Sequence, residues 1–300
     1  MTKATQRGGI FTGGLALLLL FLWQGERAKE AILGALLLSA RTIVPALLPS
    51  LMLSGLVSAS AIGLRLPGRR LYARLFGLPE AGFPAFLLGA LCGFPIGART
   101  AAELAEGGAI SREDAAEVAA ISANSGPAFI VLAVGLGMLG EARLGWVLYG
   151  IEMASAVLLG ILSRRRRWHR TASTEAIAPP IPTLGELTYR ASLTMVGVVG
   201  TVCFFSALVS LLPADCHSVL RAVLASVLEV GSGTAAAARL PQAIALPLCA
   251  FAVCFSGVSV LLQSAAHLSP AGVPLRPLIV RKILQGLLGA LFSLLFLPFL

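Results

Sequence analysis

Long apolar runs recur along the whole chain, and they constrain its fold more than any other feature. Seven of them, at about 10–26, 36–62, 117–139, 143–163, 191–212, 243–265 and 280–299, approach or exceed the roughly 20 residues a helix needs to cross a bilayer. Two shorter runs, at about 83–104 and 218–240, are interrupted, and neither side of the break is long enough to cross alone. With 57% hydrophobic and 12% charged residues and a mean hydropathy of +0.89, the chain is too apolar for a water-soluble core and surface. The spread of the runs excludes a single anchor on a soluble domain. A barrel is excluded because its strands would alternate polar and apolar residues. The expected fold is an all-α polytopic membrane protein, one lipid-folded bundle of about seven transmembrane helices plus two re-entrant hairpins.

The charges orient this bundle. Lys+Arg exceed Asp+Glu by 23 to 14, a net +9, and the excess clusters just outside apolar runs. Basic loops held on the cytoplasmic side have this pattern, whereas the basic stripes with interleaved aromatics that bind nucleic acid are missing. With the N-terminus cytoplasmic, "RLPGRRLYAR" (65–74), "RRRRWHR" (164–170) and "RPLIVRK" (276–282) all fall inside. The run at 10–23 follows Lys3 and Arg7 as a signal peptide's apolar region would, but "QGERAKE" offers no cleavage pattern, so it reads as a retained first helix. The organisation expected is an N-terminal membrane helix (1–28), a first repeat (29–163), a basic loop and linker (164–190, with 171–183 flexible) and a second repeat (191–300). The stretch 106–120, with a helix start at Ser111 and acidic Glu113 and Asp114, reads as a solvated cytoplasmic elbow.

No chemistry of bond breaking is legible. Cys92, Cys203, Cys216, Cys249 and Cys254 lack metal-ligand spacing and read as small packing residues. His169, His217 and His267 are widely separated in expected loops, and the carboxylates Glu113, Asp114 and Glu117 form no catalytic pair. Neither a metal site, a cofactor site nor a nucleophile with a base assembles, so no enzyme is expected.

The two halves match in order. "RTIVPALLPSLMLSGLV" (41–57) aligns with "LTMVGVVGTVCFFSALV" (193–209), "GFPIGARTAA" (93–102) with "EVGSGTAAAA" (229–238), and "SGPAFIV" (125–131) with "SGVSVLL" (256–262). In the topology above the two copies enter the membrane from opposite sides, which makes them inverted repeats. Inverted repeats with interrupted helices at matching positions point to a secondary transporter whose site lies at the repeat interface. Gly93, Pro95 and Gly97 unwind the chain and free backbone groups that lipid cannot satisfy, so the break is buried or lines a cavity. A helix N-terminus there, flanked by Arg99 and Thr100, suits a carboxylate. Packing glycines and a kinking proline explain any one break equally well.

The polar residues inside apolar runs complete the candidate site. Glu152 is a coupling site for a proton or cation, or the partner of another helix such as Arg41, which otherwise reaches for the interface. Glu229 stands where Gly93 stands in the first half; it meets a coupling cation or substrate donor, or caps the N–H groups of Gly231, Ser232, Gly233 and Thr234. Asn124, Ser125 and Gly126, before Pro127, offer donors and acceptors to a polar ligand, or join helices. Ser256, Gly257, Ser259 and Gln263 are their counterparts in the second half.

The ordered set "GFPIGARTAAEL", "GGAISREDA", "NSGPAFIVLAVG", "SGVSVLLQ" and "RKILQG" resembles the YlbJ/SpoVV-type sporulation integral membrane proteins, which carry a nucleoside-recognition or Gate domain. The likeness runs from about residue 30 onward. It implies a fold similar to concentrative nucleoside transporters and a place in the mother-cell or forespore membrane. One branch of the family is associated with moving dipicolinic acid. Gly93, Phe94, Pro95, Gly97 and Arg99 match the family's Gly-Tyr-Pro-x-Gly-Ala-Lys stretch, and Asn124 to Pro127 match its Asn-Asn-Ser-Gly-Pro. Phe94 lacks the tyrosine hydroxyl, Arg99 replaces an ammonium, and Ala123 stands where the first Asn is expected.

The function expected is transport of a small organic anion such as dipicolinate by alternating access, coupled or not, with a nucleoside or nucleobase carrier and a non-transporting scaffold as alternatives. The partners expected are the small anion and the bilayer, a homo-oligomer being allowed.

Overall fold

The computed structural model describes residues 3–61, 66–164, 181–213 and 216–299, and every regular element among them is helical. An exposed helix α1 (Lys3–Trp23) meets α2 (Gly25–Leu38) at 91°. A π-helical turn, Ser39–Ile43, carries α2 into α3 (Val44–Ala61). Short α4 (Arg69–Phe76) ends at left-handed Gly77. There follow α5 (Phe83–Cys92), α6 (Ile96–Glu106), α7 (Arg112–Ser122), a π-helical stretch Ala128–Met138, and α8 (Ala142–Leu162). The second half holds α9 (Leu184–Ser210), α10 (Ser218–Leu228), α11 (Val230–Ala237), α12 (Gln242–Phe255), α13 (Gly257–Leu268) and α14 (Arg276–Ser293), closed by a 3₁₀ tail, Leu294–Phe299.

Element order recurs between the halves. A leading helix (α3, α9) is followed, with α4 intervening in the first half, by two short helices in contact (α5 and α6, α10 and α11), a broken span (α7 with 128–138, α12 with α13) and a final helix (α8, α14). Each short pair folds back on itself. Gly233 of α11 lies directly on the Ser226 backbone of α10, and Gly89 of α5 and Gly97 of α6 both rest on the Ser122 carbonyl at the end of α7. Small residues allow helices to approach this closely where no hydrophobic effect drives them together. The same need explains the alanine-rich seam of α6 and α7, where Ala98, Ala101, Ala115 and Ala119 are fully buried. The halves join along a second seam, in which Phe94, Ile130, Leu148 and Ile151 pack on Val230, Leu246, Val253 and Val260.

By length and composition, four described helical segments can cross a membrane: Ala142–Leu162, Leu184–Ser210, Gln242–Leu268 and Arg276–Pro298. Two sharply bent pairs raise this to as many as six. The expected runs at 36–62 and 117–139 are divided among shorter elements, which is why a count of seven does not emerge from length alone.

Three local expectations change. The stretch 106–120 is not a solvated elbow: only 107–111 is irregular, Ser111 caps α7 by accepting the Asp114 N–H at 3.0 Å, and Ala115 to Ser122 are buried. The stretch 276–282 is not a loop but the first two turns of α14, with Arg281 and Lys282 buried. The apolar run expected at 191–212 belongs to a longer helix, because Thr183 and Glu186 form a capping box that starts α9 at Leu184. The basic run 165–170, with His169, and most of the 171–183 linker lie outside the described residues.

The glycine seams make a direct prediction. Alanine at Gly89 or Gly233 drives a methyl into backbone, and each exchange is expected to cost about 1–3 kcal/mol. Gly34→Ala, where nothing lies within 4 Å, is expected to be neutral or stabilising. Thermal unfolding of the purified variants in detergent checks this ranking.

Candidate functional site

The breaks foreseen in the two halves meet in pairs. Gly93, at φ +84°, ends α5 and lies against the Gly126 backbone; in turn a Cβ on Gly126 would sit 2.8 Å from the Cys92 carbonyl oxygen. In the second half Gly257, at φ +79°, lies against Glu229, with 3.1 Å from its would-be Cβ to the Glu229 Cα and 3.2 Å to the Leu228 oxygen. Each hairpin break therefore touches the break of the following span at matching positions. Ser256, buried and left-handed at φ 71°, holds a conformation that costs a residue with a Cβ about 1–2 kcal/mol. A knot joins the halves: the Val253 carbonyl accepts from Ser125 Oγ at 3.2 Å and from Ser256 Oγ at 3.1 Å.

A cavity opens beside these contacts. Its walls include Phe94, Gly126, Phe129, Glu229, Val230, Gly231, Val260 and Gln263, closed by Thr42, Ile43, Leu47, Val198 and Val202 from the leading helices. It offers about 30 Å³ for the centres of water-sized molecules, where a single water needs roughly 10–15 Å³. A few waters fit, and an organic molecule enters only if the breaks part. Gln263 is 7% exposed, and neither its amide nitrogen nor its oxygen has a hydrogen-bond partner among the described residues. One turn earlier on α13, the buried Ser259 hydroxyl is also without one. Burying such groups without partners costs about 1–3 kcal/mol each.

Glu229 takes the capping role. Its two carboxylate oxygens accept the N–H groups of Gly231 at 2.8 Å and Ser232 at 2.6 Å, the donors an isolated helix start leaves unpaired. Ser232 Oγ shares a 3.1 Å hydrogen bond with Ser206 Oγ of α9, and Thr234 Oγ1 donates back to Val230 and Gly231 of its own helix.

Arg99 is not in the cavity wall. It lies on α6, its Nε 2.9 Å from Glu103 Oε1, with 15% of the side chain exposed. Pro95, Gly97 and Thr100 are buried around the start of α6, away from the cavity lining. Gly126, Glu229 and Gln263 are thus the expected site residues that reach the cavity, while Gly93, Ser125, Ser256 and Gly257 shape the breaks behind it.

A second polar cluster lies behind the α7 break. Glu152 of α8 is fully buried, and its Oε1 accepts the Ser125 N–H at 2.7 Å; its Oε2 has no partner among the described residues. Its neighbour in charge is Lys282 of α14, not Arg41, which is exposed. Lys282 Nζ donates to Gln285 Oε1 at 3.0 Å, and Gln285 Nε2 donates to Asn124 Oδ1 at 3.1 Å and to the Glu152 carbonyl at 3.2 Å. Asn124 Nδ2 closes the chain on the Ile121 carbonyl at 2.8 Å. One turn away Arg281 pairs with Glu117 of α7. Lys282, Gln285, Arg281 and Glu117 escape a reading by charge bias, which places basic residues next to apolar runs in loops. Their signal is the spacing of Lys282, Gln285, Gly286 and Gly289 on one helical face. Among the described residues no group of His, Cys, Asp and Glu is arranged to hold a metal, and all five cysteines are free.

A bundle of apolar helices with paired internal breaks and buried charges defines a polytopic helical membrane protein. The sporulation integral membrane protein YlbJ of Bacillus subtilis (strain 168) is 28% identical, over 84% of this chain and 73% of the relative. The similarity reaches well beyond the motifs that carry the resemblance to YlbJ-type proteins. No family model and no solved structure matches the chain.

The Glu117–Arg281 pair is expected to behave as a buried ion pair. Arg281→Met alone should cost about 3–5 kcal/mol, because it takes the cation from a buried carboxylate, whereas Glu117→Leu with Arg281→Met together should recover most of the loss. Melting temperatures of the two variants and the parent in one detergent check the cycle.

Proposed function

We propose that this chain is a secondary transporter or facilitator that moves a small molecule by alternating access between two inverted repeats, in the membrane of a sporulating cell. The observation that carries the reading is the cavity at the paired breaks, where a buried amide, Gln263, has both its polar atoms free of partners. Discontinuous helices meeting at a repeat interface are the usual place for a transporter's substrate site. The closed size of the cavity fits an occluded state that opens when one repeat rocks against the other. The sporulation context comes from the name of the Bacillus subtilis relative.

The cavity's polar chemistry weighs between the two substrate classes. It is lined by an amide, Thr42 and a carboxylate already committed to backbone N–H groups, between apolar and aromatic walls; Phe94 and Phe129 pack edge to face at 6.3 Å. An uncharged, flat, hydrogen-bonding ligand such as a nucleoside or nucleobase matches this lining. An organic anion such as dipicolinate would meet Glu229 there, and reaches a cation only if Arg99 leaves Glu103. The nucleoside-like substrate therefore leads.

Uptake of labelled uridine and labelled dipicolinate into proteoliposomes of the full chain separates the two. Uridine entry is expected, with Gln263→Leu lowering it about 10-fold or more, the cost of a lost buried hydrogen bond to substrate. Arg99→Ala should leave that rate within about twofold. Dipicolinate entry that needs Arg99 and ignores Gln263 would reinstate the anion carrier. Entry of neither compound, from vesicles shown to contain folded protein, would favour the scaffold.

A further inference from the structure

The transport reading leaves Lys282 without a role. The residue is 1% exposed, on a helix that packs against α7, α8 and α12, and its one hydrogen bond among the described residues goes to an amide rather than to an anion. A charge buried this deeply requires a counter-charge. The titratable groups that act on one another here are Lys282 from α14, Glu152 and Tyr149 from α8, and Cys254 from α12. From α7 and its break come the uncharged Asn124 and Ser125, while Glu117 is taken up by Arg281. Glu152 is thus the one carboxylate facing Lys282 among the described residues. The two are joined through Gln285, which binds Lys282 with its oxygen and the Glu152 backbone with its nitrogen.

The arrangement differs from a closed ion pair in two respects. Glu152 Oε2 is buried without a partner, so an acceptor stands ready for a proton. Its other oxygen holds the Ser125 N–H, one of the groups set free by the break in the span. A carboxylate binds such a donor about twice as strongly as a neutral carboxyl does. Protonation at Glu152 therefore loosens the contact that fixes the break.

We propose that Glu152 and Lys282 form a proton-binding centre that couples proton movement to opening of the α7 break. A proton from water adds to Glu152 Oε2, forming an O–H bond, and leaves to water from the same atom; Lys282 keeps its own proton throughout. The centre is neutral when Glu152 is ionised and carries one positive charge when it is protonated. Lys282 is a positioning residue, holding the ionised form stable in a dry setting and setting the pH at which it loads. This role rests on the transport reading, since a coupled proton must cross with a substrate, but its first test does not need one.

Infrared spectra of the purified full chain in lipid, recorded from about pH 5 to about pH 9, read the protonated carboxyl directly. A carboxyl stretch that titrates in this range and is lost in Glu152→Gln is expected. Lys282→Met removes the charge that favours the ionised form, so the band should persist to higher pH by about one unit or more, while Lys282→Arg should titrate as the parent does. Should a single exchange fail to fold, the double variant Glu152→Gln/Lys282→Met removes both charges together and must fold without the band. Spectra in which Glu152→Gln or the double variant loses no band, or in which Lys282→Met titrates like the parent, overturn the centre. Because no substrate is present, that failure stands apart from failure of uridine and dipicolinate uptake, which bears on the transport reading.

Discussion

Lipid offers a backbone N–H or C=O no partner, and the placement of every break in this chain follows from that. A regular helix satisfies itself, whereas each interruption releases donors and acceptors that must find partners inside the protein. Here the breaks supply one another. Glu229 takes the N–H groups of Gly231 and Ser232, Glu152 takes that of Ser125, and the Val253 carbonyl gathers the hydroxyls of Ser125 and Ser256. One of these bonds, from Ser125 to the Val253 carbonyl, runs from one half of the chain to the other. The halves are therefore held together at the points where each is least able to stand alone.

Buried charge follows the same logic at higher cost. Glu117, Glu152, Arg281 and Lys282 are all withdrawn from solvent, and α14 carries both cations into the bundle. Arg281 fixes α14 to α7, and Lys282 reaches through Gln285 to the α7 break and to α8. The final helix is thus tied to the broken span by polar contacts, beside seams built largely of alanine, glycine and branched aliphatic side chains. In the centre proposed above, the ionisation of Glu152 would select the conformation of the break through its bond to the Ser125 N–H.

Much of this arrangement was legible in the chain. The interruptions at Gly93 and Glu229 and at Gly126 and Gly257 were visible because Gly, Pro and charge stand out against apolar runs. The capping alternative for Glu229 was legible too, since a carboxylate two and three residues before small residues fits a helix start. Arg99 was less informative. As a basic residue beside a break it suited an anion, but Glu103, one turn along the same helix, provides a nearer partner. Charge bias misplaced Lys282 for a related reason: it counts cations next to apolar runs without asking which face of the helix they occupy.

Composition and hydropathy determined by themselves that this is a helical membrane protein, because the number and length of its apolar runs leave no other way to satisfy the backbone. Spacing determined where the helices break, since Gly and Pro act through local geometry. Which break meets which, which carboxylate answers Lys282, and which polar groups border the cavity were decided by tertiary structure alone. Those contacts join residues far apart in sequence, 128 positions between Ser125 and Val253 and 161 between Asn124 and Gln285. No local preference encodes such a pairing; it emerges only when the helices pack and the dry interior forces each polar group to find a partner.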